Sequence, residues 1–476
     1  MPNNAEHVSG SSTTGGVRNT PEHVASFAML ERVQPRMLLL TSGLGLGHVR
    51  AAEAVQAAAI ERGATVKVID LWSLMNSAVA AVVHRTYLRL VQEYPELYER
   101  LYRLDQHTWR QILESEDGPP PEVLEVLELI SGLALEAEGQ GPRERRYASD
   151  RMLLPLLCTA LRFDGDSLAG NGARARLALM KWAWQRLIRR LEPRIREFAP
   201  DVIVSTQMIP AAMVSYLKQQ RLLPTPMVGV VTDYGVHDFW VQPGITRYCV
   251  PHDEIAAEMA DRYSLTAVLA TGVPLMPGFS PPPSQVQARR ELGLPLDEPT
   301  ILVLGGGLGL NVDSVAARLL EAQQSLRLVI VSGRNSAAHA TLRAMAARHS
   351  RLYVSDWTER MHVFIRAADL VVGKPGGVTV AEALACGRPL LATRSLGGQE
   401  GFNVDFLERR GLGALVTDGE LPGRVAALAA DRAHLAQLQR RAWLLGRRDG
   451  AQRVADLALE LAARYRRDTL VAAFGS

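Results

Sequence analysis

The sequence predicts an α/β protein made of two similarly built halves, each a parallel sheet with helices on both faces, facing one another across a cleft. Three observations predict it. Short apolar runs of strand length alternate with helical patterns along most of the chain. A Pro-rich stretch from Pro274 to Pro283 splits that alternation into two series. The 476 residues also exceed what one hydrophobic core normally supports.

In chain order, residues 1–35 are rich in Ser, Thr, Asn and Gly without a sustained apolar period, and read as a disordered tail. Met37-Leu-Leu-Leu-Thr-Ser is a buried strand, Ala51 to Glu61 a helix, and Thr65-Val-Lys-Val-Ile-Asp70 a second strand, which together form a βαβ unit. A charged, Gly- and Pro-containing segment at about 115–172 reads as an insertion. Similar units begin at Asp201-Val-Ile-Val-Ser, Pro226-Met-Val-Gly-Val-Val, Thr300-Ile-Leu-Val-Leu, Leu326-Arg-Leu-Val-Ile-Val and Asp369-Leu-Val-Val. Pro389-Leu-Leu-Ala is a further strand, and about 432–467 is helical in pattern. The expected organisation is a first domain over 36–275, a second over 284–440, and a terminal helical region over 441–476. In open parallel sheets ligands bind beyond the carboxyl ends of the strands, so the loops of the two halves should meet at the cleft.

Composition narrows the function. Lys plus Arg at 53 barely exceeds Asp plus Glu at 50, which gives no support for a nucleic-acid partner. Cys158, Cys249 and Cys386 are odd in number, far apart and without a Cys-x-x-Cys pair, so neither a disulfide framework nor a zinc site is indicated. No apolar run suits a bilayer-spanning helix, and no cleavable signal is recognised at Met1. A cytoplasmic protein is expected, with any membrane contact peripheral.

The loops carry the chemistry. Gly43-Leu-Gly-Leu-Gly47-His48 joins a strand to a helix, and its glycines permit a tight turn and close backbone approach to a ligand at the helix N-terminus. It is neither a P-loop nor a Gly-x-Gly-x-x-Gly fingerprint, which argues against an ATPase or a dinucleotide oxidoreductase. A plain structural turn is the alternative, but His48 at the cleft edge has the imidazole needed to take a proton near neutral pH. Gly305-Gly-Gly-Leu-Gly309 follows another strand and offers backbone amides to an anion such as a diphosphate. Lys374-Pro-Gly376-Gly377-Val-Thr379 leads into a helix carrying Glu382, which is either a helix charge or a carboxylate for the two hydroxyls of a ribose. Gly397-Gly-Gln399-Glu400-Gly-Phe-Asn403 suits sugar hydroxyls or is a surface turn. Arg334, in Ser332-Gly-Arg-Asn, either neutralises phosphate or is an exposed structural arginine.

In this order and spacing the motifs resemble those of the diacylglycerol glycosyltransferase family, which includes monogalactosyl- and processive monoglucosyldiacylglycerol synthases, and more distantly the enzyme that adds N-acetylglucosamine to lipid-linked peptidoglycan precursors. The carriers are Ser42 to His48 with Ala51-Ala52, Val231-Thr-Asp-Tyr with His237 and Trp240, Thr271-Gly-Val-Pro, Gly305 to Gly309, Lys374-Pro-Gly-Gly, Glu382-Ala-Leu-Ala, and Gln399-Glu with Asn403. The resemblance spans roughly 36–448, departs from the family in the insertion and the long tail, and implies a GT-B fold of two Rossmann-like domains. The first domain would serve the acceptor, the second would hold a UDP-sugar, and a final helix would return to the first. It implies inverting transfer of a hexose, glucose or galactose, to diacylglycerol, with no cofactor and no metal required. His48 would lie at the transfer centre as base or orienter, with Asp233 and His237 as nearby candidates. Glu382 would bind the ribose, the backbone near Trp357 and Thr358 would hold the uracil, and the loop with Gly305, Gly306, Gly307 and Gly309 would face the diphosphate, with Arg334, Gly376, Gly377 and Thr379 as further donor-binding residues. Gln399, Glu400 and Asn403 would meet the sugar, and Gly45, Gly47 and Trp240 the acceptor side.

Between Leu71 and Arg110, Trp72, Met75, Val79, Tyr87, Tyr98 and Trp109 are interleaved with Arg85, Arg89, Arg100, Arg103 and Arg110. This pattern suits either a helix packed on its own domain or one lying on an anionic membrane surface. The resemblance favours the membrane, since that region lies by the lipid acceptor in the family. The rival readings are the same fold acting on a polyprenyl-linked or other glycolipid acceptor, and a nucleotide-sugar-binding protein that turns nothing over.

Overall fold

The computed structural model describes residues 34–75 apart from 44, residue 80, 169–322 apart from 308 and 310, 326–393 and 398–474. The tail expected over 1–35, most of the insertion expected at 115–172, and the aromatic and arginine residues between Val79 and Arg110 lie outside the described residues.

The first domain runs β1 (Arg36–Thr41), α1 (Leu46–Glu61), β2 (Thr65–Asp70), α2 (Ala169–Phe198), β3 (Val202–Ser205), α3 (Met208–Gln219), β4 (Met227–Val230), β5 (Arg247–Val250), α4 (Asp253–Tyr263) and β6 (Val268–Ala270). Its strands form one sheet in the order β2-β1-β3-β4-β5-β6, with every pairing parallel. A short α5 (Gln285–Glu291) opens the second domain, followed by β7 (Thr300–Leu304), α6 (Val312–Ala322), β8 (Arg327–Val331), α7 (Ser336–Ala346), β9 (Leu352–Ser355), α8 (Met361–Ala367), β10 (Leu370–Gly373), α9 (Gly377–Ala385), β11 (Leu390–Ala392), α10 (Gln399–Arg409) and β12 (Gly413–Leu415). This sheet is also parallel, in the order β12-β11-β10-β7-β8-β9. Three helices follow, α11 (Leu421–Ala430), α12 (Arg432–Leu445) and α13 (Gly450–Phe474).

Strands covered on both faces need apolar side chains at consecutive positions, and β3, β4 and β7 are buried along their whole length. Each domain secures its first strand with an aspartate that precedes a neighbouring one. Asp201 accepts from the Arg36 N–H at 2.8 Å, and Asp369 accepts from the Thr300 N–H at 2.9 Å and from Arg289 at 2.7 Å. The strand order reverses between β1 and β3 and again between β7 and β10, so each sheet opens a crevice at the carboxyl ends of those strands.

α13 packs against the first domain rather than the second. Ala451, Ala455, Ala458 and Ala462 meet Ala54, Ala58 and Ala59 of α1 in one buried cluster with β1 and β3, and small residues on both helices permit that close approach. Arg62 and Asp456 pair at its edge. α1 begins at Leu46, earlier than the apolar pattern from Ala51 indicates, so Gly47 and His48 belong to its first turn. The helical pattern over 432–467 is two helices, broken between Leu445 and Gly450.

Candidate active site

A cleft of about 390 Å³ lies where the two sheets' carboxyl ends meet. Its walls come from both domains: Gly43, Gly45 to His48, Thr232 and Asp233 on one side, and Gly305 to Gly307, Arg334, Lys374, Gly376 to Thr379, Gln399 and Glu400 on the other. No helix among the described residues is long and apolar enough to cross a membrane.

Three helix N-termini supply residues to this cleft. α1 starts after Gly45, α9 after Gly376 and α10 after Gly398, and none of these glycines offers a side chain to cap the first N–H groups. First-turn amides and helix dipoles of that polarity favour an anion, and at α9 the Gly377 N–H already donates to the Asp233 carboxylate. Lys374 and Arg334 add fixed positive charge to the same walls. The glycine loop after β7 has Gly306 at φ 63°, in the left-handed region, and Gly307 abuts Leu46 of the opposite domain with no room for a Cβ.

His48 and Asp233 sit on the first-domain wall, opposite the N-termini of α9 and α10. His48 is half-buried, Nδ1 lies 3.3 Å from Thr232 Oγ1, and its backbone carbonyl accepts from Thr206 at 2.9 Å. Burial lowers the imidazole to about 4, opposed by a hydrogen bond with the Thr206 backbone. Asp233 is also half-buried, and burial raises it to about 6 against the lowering effects of Asn403, the Gly377 N–H and Lys374. Glu382, in the second turn of α9, is raised to about 7 by burial, with Arg50 as its opposing positive charge. Both carboxyl groups therefore titrate near neutrality while His48 remains neutral there.

Lys374 Nζ lies 2.6 Å from Glu400 Oε1, and the Glu400 side chain is only 4% exposed. Lys374→Met leaves that carboxylate without its cation and should lower stability by roughly 1–3 kcal/mol, below the full cost of breaking a buried pair because the lysine is partly exposed. Chemical denaturation checks this, and adding Glu400→Gln should recover much of the loss.

Of the residues the sequence singles out, His48, Asp233, Gly45, Gly47, Gly305, Gly306, Gly307, Arg334, Gly376, Gly377, Thr379, Gln399 and Glu400 line the cleft. Seven do not. His237 is buried and its Nδ1 caps a short helical turn by accepting from the Phe239 N–H at 3.0 Å. Trp240 packs in the first domain's core. Gly309 is fitted against the Ser332 carbonyl beneath the loop. Trp357 carries Arg334 at 4.5 Å from its ring centroid and donates to Glu359 at 3.1 Å, while Thr358 accepts from the Arg360 N–H at 3.0 Å. Glu382, half-buried in the second turn of α9, is not among the cleft-lining residues, and Asn403 is fully buried between the domains. Gly397 is outside the described residues. Thr232 and Lys374 are cleft residues that the sequence shows only as members of motifs, because their partners, His48 and Glu400, are remote in the chain.

Charged pairs join the domains around the cleft: Arg50 with Glu359 at 2.9 Å, Arg409 with Glu254 at 3.4 Å, Arg410 also with Glu254, and Arg447 with Asp253.

Residues 175–275 match the family model for monogalactosyldiacylglycerol (MGDG) synthase, and residues 300–440 match the glycosyltransferase family 28 C-terminal domain. A processive diacylglycerol beta-glucosyltransferase of Bacillus subtilis is 28% identical over 257 residues, 53% of this chain and 66% of the relative. One from Staphylococcus aureus is 27% identical over 231 residues, 48% of this chain and 59% of the relative. The matched stretch is thus less than two thirds of each relative's length. Among solved structures, Acinetobacter baumannii MurG covers 90% of this chain and 99% of its own at a TM-score of 0.52 and 14% identity. The calicheamicin glycosyltransferase CalG4 covers 91% and 99% at 0.51 and 14%. With two parallel six-stranded sheets, these likenesses make the fold GT-B.

Proposed function

Because the chain belongs to the diacylglycerol glycosyltransferases of family 28, we propose that it transfers a hexose from a UDP-sugar to diacylglycerol, with inversion at the anomeric carbon. The observation that carries this reading is the convergence of the α9 and α10 N-termini, Lys374 and Arg334 on one wall of a cleft whose opposite wall presents the α1 N-terminus with His48 and Asp233.

In this reading the diphosphate lies against the glycine loop after β7 and the N-terminus of α9, where amides and positive charge stabilise the UDP that departs. The Glu382 carboxylate accepts from the ribose hydroxyls, the Trp357 and Thr358 segment flanks the uracil, and Gln399 and Glu400 meet the sugar. The lipid hydroxyl enters from the first-domain side, on the sugar face opposite UDP, and attacks the anomeric carbon as its proton passes to a cleft base. His48 serves when its Nδ1–H is donated to Thr232 Oγ1, which leaves the Nε2 lone pair for the proton; Asp233 is the second candidate. The charge stabilisation comes from amides, Lys374 and Arg334, so no metal is assigned a role. The protein would work peripherally at an anionic cytoplasmic membrane surface, and no nucleic-acid partner is proposed.

The pH dependence follows from the two bases. His48 is already neutral above about 5, whereas Asp233 takes up a proton as pH falls through about 6. If ionised Asp233 is required, turnover falls on the acid side with a midpoint at or above about 6, because the bound diphosphate's negative charge favours the protonated form further. A profile flat from pH 5 to 8 would remove Asp233 from the reaction.

The defining experiment offers radiolabelled UDP-glucose and UDP-galactose separately, with diacylglycerol in anionic-lipid micelles, and separates the lipid products by chromatography. Labelled glycosyldiacylglycerol is expected from one donor. UDP binding without a lipid product from either donor would reject diacylglycerol as the acceptor, and lipid extracts offered next would separate a polyprenyl-linked acceptor from a protein that only binds.

A further inference from the structure

Asn403 stands in α10 of the second domain, fully buried, with both hydrogens of its side-chain amide and one acceptor position of its oxygen engaged. Its Oδ1 accepts from the Tyr234 N–H at 2.7 Å, and its Nδ2 donates to Asp233 Oδ1 at 2.9 Å and to the Pro375 carbonyl at 2.9 Å. The two amide hydrogens are thereby spent, one within its own domain and one across to the first, leaving none for a sugar hydroxyl. The same helix holds the same loop twice more. The Phe402 ring fills the place of a side chain at Gly235, and Phe406 stacks on Tyr234 with ring centroids 4.3 Å apart.

We propose that Asn403 is a positioning residue: it fixes the Asp233 carboxylate at the cleft when the two domains close, and does not bind the donor sugar. The inference rests on the glycosyl-transfer reading above. The charged and titratable groups that face Asp233 are Lys374 from the end of β10, the Glu400 paired with that lysine on α10, and His48 of α1 through the adjacent Thr232; the Gly377 N–H also donates to it. An amide that donates only in the closed arrangement makes the protonation and direction of Asp233 depend on closure.

The test compares wild type with Asn403→Asp, which preserves shape and the acceptor for Tyr234 but sets a second carboxylate beside Asp233. UDP and UDP-sugar affinities are expected to stay within about threefold of wild type, while the acid limb of the kcat profile moves up by about one pH unit or more. A loss of UDP-sugar affinity of about tenfold or more with an unmoved limb would make Asn403 a sugar ligand and overturn the proposal. Unchanged affinity with an unmoved limb would overturn it as well. Should Asn403→Asp not fold, Asn403→Thr is expected to lower kcat with KM retained, and the reverse pattern counts against the proposal. If the wild type transfers sugar to no acceptor, the functional reading fails by itself. The Asn403 contact between the domains is then read by small-angle scattering in the presence of UDP, where Asn403→Leu should show the larger radius of gyration and equal radii would overturn the proposal.

Discussion

His48→Ala should lower kcat by about 10²–10⁴-fold, the range associated with removing a positioned general base, while UDP affinity stays within about twofold. The split follows from position. His48 is in the first turn of α1, on the first-domain wall, and its imidazole is oriented by Thr232 of the same domain. The groups proposed to hold the nucleotide belong to the second domain. Glu382→Ala should show the converse, with UDP weakened by about 10–100-fold through loss of charge-assisted hydrogen bonds to the ribose. Isothermal titration with UDP and steady-state kinetics on both variants check the pair. Small and equal changes in both would reject the division of labour between the walls.

The sequence showed most of the central strands, the edge strand β2 and the cleft loops better than β5 and the remaining sheet edges. β1, β7 and β10 are sheet-interior strands whose apolar runs are continuous because helices cover both faces, and each ends in a glycine-bearing loop. β6, β9 and β12 lie at sheet edges, have three or four residues and are largely half-buried, so the sequence leaves them without a clear pattern. Site residues divide on a similar physical line. A glycine loop announces backbone access locally, and the structure brings Gly45, Gly47, Gly305 to Gly307, Gly376 and Gly377 to one cleft. What a polar side chain does depends on partners distant in the chain. The sequence offers His237 as a candidate at the transfer centre, but the Phe239 N–H beside it occupies its Nδ1. Asn403 appears as one of three polar residues in a loop motif, whereas its hydrogen bonds run to Asp233 and Tyr234 of the other domain. Lys374 shows the reverse, since only the folded chain brings Glu400 to it.

The seam between the domains makes the second large prediction, which runs against local propensity. Gly377 is the first residue of α9, and a Cβ there would drive well inside contact with the Thr232 carbonyl and lie 2.8 Å from Asp233 Oδ1. Alanine suits a helix better than glycine by roughly 0.5–1 kcal/mol, so Gly377→Ala should leave the second domain as stable as before or slightly more so. The obstruction is a backbone oxygen of the opposite domain, which no side-chain rotation relieves. The domains must part, and the Gly377 N–H then loses Asp233. Misplacement of reacting groups by about 1 Å costs on the order of 10²-fold, so transfer should fall by at least that much, while the unfolding midpoint falls only by what the loosened seam loses. Gly423→Ala, in α11 with nothing within 4 Å of the added methyl, provides the comparison for propensity alone. Its transfer rate should match wild type. Full transfer by Gly377→Ala would mean that the working enzyme does not close along the Thr232 seam, and the cleft seen here would then be tighter than the one that turns over.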